Sequence, residues 1–110
     1  MGTAKLDCYG YTPTLDRVIT ALCGDYKRRQ SAVEHGLVSA RCTMEYKYLN
    51  YLIYEGAAEI VGTRYAELYI DEIGRSVGYA KTAHPAAGEQ TYKTEKQEVK
   101  HNIARKLHLI

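Results

Sequence analysis

Apolar residues recur at every third or fourth position in four stretches of this 110-residue chain, and no stretch reads as a convincing strand. An α-helix turns once every 3.6 residues, so this spacing lays one apolar stripe along each of four helices. In the first, Leu15, Val18, Ile19, Leu22, Tyr26 and Val33 make the stripe. Thr12 caps it, Pro13 suits its first position and Gly36 ends it, while Gly24 weakens its continuity. The second begins at a cap on Ser39 or Thr43, carries Tyr46, Leu49, Ile53, Ala57 and Ile60 at near-heptad spacing, and stops at Gly62. The third runs from about Thr63 to Val77 with Ala66, Ile70, Ile73 and Val77 inward and Glu67, Asp71, Glu72 and Arg75 outward, closed by Gly78-Tyr79. The fourth carries Tyr92, Val99, Ile103 and Leu107, and starts at either Pro85 or Thr91.

The fold class expected is all-α. It is a single four-helix domain over residues 13–110, preceded by a flexible arm at 1–12 in which only Tyr9-Gly10-Tyr11 could pack back. The short link at 36–39 makes the first two helices antiparallel neighbours. Residues of about 63–110 then form a pair resembling a helix-turn-helix.

All eleven aromatic residues are tyrosines, so each buried ring needs a partner for its hydroxyl, and several are expected at helix–helix margins. Cys8, Cys23 and Cys42 are odd in number and widely spaced, which suits three inert thiols in a reducing cytoplasm better than a disulfide frame or a zinc site. His35, His84, His101 and His108 read as surface residues; the last two lie about two turns apart, too far to share a metal. No phosphate loop, nucleophile motif or metalloprotease motif is present, so neither enzyme activity nor a cofactor nor a metal is expected. No apolar run is long enough for a membrane span, no signal peptide precedes the domain, and Leu6 spoils a myristoylation reading of Met1-Gly2.

Net charge is only +2, but its distribution is uneven. Residues 1–62 carry 7 basic and 7 acidic groups, 63–78 carry 2 and 3, and 79–110 carry 6 and 3. The positive excess therefore sits wholly at the C-terminal end. Lys27-Arg28-Arg29, on the first helix, reads as a solvated face. In the last helix Thr91, Lys93, Thr94 and Gln97 are the short polar and cationic groups that base edges accept, while Lys81, Lys96 and Lys100 suit phosphates. An ordinary solvated helix is the competing reading, and Glu95 and Glu98 favour it.

Four stretches taken in order carry a resemblance. They are Asp25-Tyr-Lys-Arg-Arg29, Tyr46-Lys-Tyr-Leu-Asn50, Tyr69-Ile-Asp-Glu-Ile-Gly-Arg-Ser-Val-Gly-Tyr79, and Thr91-Tyr-Lys followed by Ile103-Ala-Arg-Lys-Leu107. Together they resemble small phage and prophage transcription regulators of Gram-positive bacteria, of the ArpU and RinA type, whose C-terminal half is similar to sigma-factor region 4. The resemblance implies that the third stretch is a support helix and Thr91-Tyr-Lys the start of a recognition helix. It also implies double-stranded DNA as ligand and RNA polymerase as a further partner. The chain departs from the pattern in its turn, which has about eleven residues between Tyr79 and Thr91 where three or four are usual. A helix starting near Pro85 would move the groove-facing positions toward Ala86, Glu89, Gln90 and Lys93. The rival reading is a helical interaction module, with the second helix's stripe as the seam of a homodimer.

Overall fold

The computed structural model describes residues 10–84 and 88–110. It is all-helical, with no strand among the described residues. The helices are α1 (Pro13–Gly24), α2 (Tyr26–Glu34), α3 (Ala40–Val61), α4 (Ala66–Gly74) and α5 (Glu89–Lys106), with a 3-10 turn at Tyr79–Lys81. Most of the arm lies outside the described residues, as do Pro85 and Ala86. Tyr11 does pack back: its ring is buried against His101 at 4.2 Å and its hydroxyl donates to Asp16 at 2.8 Å.

Local chemistry sets the helix ends. Thr12 Oγ1 accepts from Leu15 N–H and Ser39 Oγ from Cys42 N–H, each satisfying one of the unpaired donors of a first turn. The expected first helix is two, α1 and α2, broken at Gly24-Asp25. The break is a packing feature. Gly24 lies against Gly74 of α4 so closely that a Cβ on Gly74 would sit 2.5 Å from Gly24 Cα. Two side-chain-free positions let the α1 and α4 backbones touch.

α2 ends with Gly36 at φ +64° and a bond from Leu37 N–H to Ala32 O, so the predicted glycine cap is present. α4 ends earlier than the expected Val77. Ser76 takes the left-handed conformation at φ +55°, and Val77 N–H reaches back to Glu72 O, giving the same closure without a glycine. α5 begins between the two expected starts, with Gly88 at its N-cap.

The core is built from the predicted stripes: Ile19, Ile53, Ala57, Ala66, Ile70, Ile73, Tyr92, Val99 and Ile103 are all buried. Each isoleucine or valine among them contributes roughly 1.5–3 kcal/mol on burial. The stripe of α3 faces this core, so the seam once open to a homodimer is occupied within the chain. Gly56 admits α5: a Cβ there would lie 2.9–3.1 Å from Cγ1, Cα and N of Ile103, and Asn102 Nδ2 donates to Gly56 O at 2.9 Å. α2 and α3 run antiparallel, with Tyr26 and Arg29 beside Asn50, and Val33 and Glu34 beside Tyr46 and Lys47.

Three polar residues expected outside are inside. Arg29 is buried, donating to Asn50 Oδ1 at 2.7 Å, Leu22 O at 2.7 Å and Asp25 at 3.4 Å, so the basic triplet is not one solvated face. Glu72 is buried and accepts from Thr82 Oγ1, from Ala83 N–H at 2.7 Å and from Tyr92 Oη at 2.7 Å. His101 is buried beneath Tyr11. Buried tyrosines find the expected partners, and these are carboxylates: Tyr26 to Glu67 at 3.3 Å, Tyr69 to Glu95 at 2.8 Å and Tyr92 to Glu72. Tyr69 and Tyr92 nevertheless lie deep in the core, 5.5 Å apart, rather than at its margin.

Candidate nucleic-acid interface

Glu72 sets the position of α5. From α4 it holds Thr82 and Ala83 of the connection and Tyr92 in the first turn of α5. The long link of residues 75–88 thus has an internal anchor where a tight turn would otherwise fix the angle. Burial pushes this carboxyl toward the neutral form, but the bonds from Ala83, Thr82 and Tyr92 outweigh it, and its pKa lies below the ordinary value. Tyr92, buried and bonded to that carboxylate, is pushed up to about 12.

With α5 so fixed, its outer side forms one wall of a groove of about 490 Å³. Gln90, Lys93, Thr94 and Gln97 line it, then His101 and Arg105 further along the helix, with Ile60 of α3 opposite and Glu98 also lining it. The span from Gln90 to Arg105 is about 22 Å at 1.5 Å per residue. Neighbours on the stripe order one another. Gln90 Nε2 donates to Thr94 Oγ1 at 3.2 Å, Gln97 Nε2 lies 2.9 Å from His101 Nε2, and Lys93 pairs with Glu89 at 2.8 Å.

The residues picked out in the sequence divide in two. Lys93, Thr94 and Gln97 come together in the groove. Thr91 is exposed but off its lining, and Lys81 is exposed in the 3-10 turn. Lys96 and Lys100 do not share this face. Lys96 Nζ donates to Val77 O and lies over the Tyr92 ring, and burial, with Lys100 nearby, lowers its pKa. Lys100 pairs with Asp16 of α1 at 3.2 Å and is 17% exposed. Both ammonium groups are engaged within the fold and lie off the groove lining.

Arg105 is the cation that sequence reasoning missed. It continues the Gln90, Thr94, Gln97, His101 series at helical spacing, so the signal was present. Of the earlier-start alternatives, Gln90 and Lys93 line the groove, while Ala86 lies outside the described residues.

No cluster of three metal-ligating side chains occurs among the described residues. Burial raises the Cys23 thiol to about 12, too high for a reactive thiolate at neutral pH. Among the described residues no helix is long and apolar enough to cross a membrane. Comparison with protein families, curated proteins and solved structures finds no match for this chain.

Proposed function

We propose that the protein is a DNA-binding transcription regulator that reads double-stranded DNA with the outer face of α5. The observation carrying this reading is the series of exposed Gln90, Lys93 and Thr94 and half-buried Gln97 on one side of a single helix, with exposed Arg105 further along it. Glutamine suits bidentate bonding to adenine, and lysine or arginine suits guanine or phosphate. The resemblance to phage and prophage regulators supports the same reading and adds RNA polymerase as a second partner. The cytoplasm is the compartment that fits. The lining holds two permanent cations and one carboxylate, so electrostatic attraction is modest and sequence reading by amides carries more of the specificity.

Alanine variants test the assignment of the face. Lys93→Ala and Arg105→Ala are each expected to weaken binding to duplex DNA, by about 1 kcal/mol or more where a base or phosphate contact is lost. Gln97→Ala should narrow the gap between preferred and random sequences. Lys100→Ala should leave affinity unchanged, because that ammonium is largely covered against Asp16 of α1 and lies off the groove. A loss confined to Lys100→Ala, with the groove variants unaffected, rules this face out.

A further inference from the structure

A second surface lies on the outer side of α3. Met44, Tyr48 and Tyr51 are 73%, 65% and 56% exposed, a spacing of four and three that aligns them on one face of the helix. This stripe is distinct from the inward one of Ile53 and Ala57. Methionine and tyrosine are the residue types enriched where proteins meet. Charges flank the stripe with a particular symmetry. Arg41 lies seven residues before Tyr48, and Glu55 seven residues after it; the Glu55 carboxylate is part-exposed, accepts from Tyr51 Oη at 2.7 Å and pairs with Lys106 at 3.1 Å. The Arg41 side chain is 89% exposed and lies 3.7 Å from Glu45.

We propose that this face binds a second copy of the chain, with the two α3 helices antiparallel and a two-fold axis at Tyr48. In that register Arg41 of each copy faces Glu55 of the other, at both ends of the contact. A parallel pair would set arginine against arginine and glutamate against glutamate, so the charges select the antiparallel dimer. The interface is isologous, as a two-fold requires. A contact of a single helix pair lies at the small end of stable interfaces, so dissociation is expected in the micromolar range.

The test is sedimentation of the full chain without DNA, from about 1 to about 100 µM. The wild type should pass reversibly from monomer to dimer. Tyr48→Glu, on an exposed site, should stay monomeric with an unchanged helical spectrum. Arg41→Glu and Glu55→Lys should each dimerise more weakly, by severalfold. Mixing these two variants should restore a dimer, because each then offers the charge the other lacks. Lys106 keeps Glu59 as a partner when Glu55 is replaced. A wild type that is monomeric throughout overturns the proposal, and so does a dimer indifferent to Tyr48→Glu. Failure of the mixture to recover overturns the antiparallel register. DNA takes no part in this measurement, so its outcome is independent of the function proposed for α5.

Discussion

Glu72→Ala is expected to cost about 3–4 kcal/mol, a large share of the roughly 5–15 kcal/mol that holds a small domain together. The Tyr92 hydroxyl is buried and loses its short bond, keeping only a 3.5 Å contact to Val77 O, while Thr82 and Ala83 are only part-buried and can turn to water. Relief from burying a carboxylate offsets part of the loss. The drop in melting temperature should exceed about 10 °C. The pH profile gives a second readout. The folded pKa of Glu72 lies below its ordinary value of about 4.3, so the unfolded chain takes up the proton first. Its contribution is therefore whole above that ordinary value and is lost as pH falls through the lower folded pKa. Asp25, Glu55 and Glu59 are lowered as well, so the acid limb is shared. Glu72→Gln should flatten only part of it. An alanine variant that melts with the wild type and keeps its acid limb would show that Glu72 is no anchor.

Gly74→Ala is the second large effect. The added Cβ meets Gly24 Cα at 2.5 Å, Gly24 N at 2.6 Å and the Cys23 carbonyl carbon at 2.8 Å. All three are backbone atoms, so α1 and α4 must move apart. Overpacking of this kind costs about 1–3 kcal/mol and occasionally more. Alanine's better helix propensity returns about 1 kcal/mol; because all three contacts are with backbone the cost lies at the upper end, and a net loss of up to about 2 kcal/mol is expected by thermal or urea melting. Gly78→Ala is the control. Nothing lies within 4 Å of a Cβ there, and it should melt close to the wild type. Equal behaviour of the two variants would contradict the close crossing at Gly24 and Gly74.

Helix positions and the apolar core were legible because they follow from periodicity within one element. The buried polar groups were not. Glu72 is a charged residue beside an apolar stripe, and the groups that satisfy it lie 10, 11 and 20 residues further along the chain. Nothing local announces them. Arg29 is the same case, since its acceptor Asn50 is on another helix. Lys96 is different. It occupies the fourth position after Tyr92 and the third before Val99, so the stripe itself assigned it inward, and its charge alone suggested otherwise. The candidate groove follows from α5 and one residue of α3. The α5 series was readable from spacing, whereas the wall at Ile60 required the packing of two helices.

The central claim is that α5 presents a surface that tracks DNA, and salt dependence tests it most directly. Anisotropy of a labelled duplex should be followed against protein at about 50 and about 200 mM salt, a range over which phosphate-dependent binding falls steeply. The account predicts micromolar binding at the lower concentration, a clear loss at the higher, and a shallower slope for Lys93→Ala. Absence of binding at the lower concentration, or binding indifferent to salt and to Lys93→Ala, would contradict it.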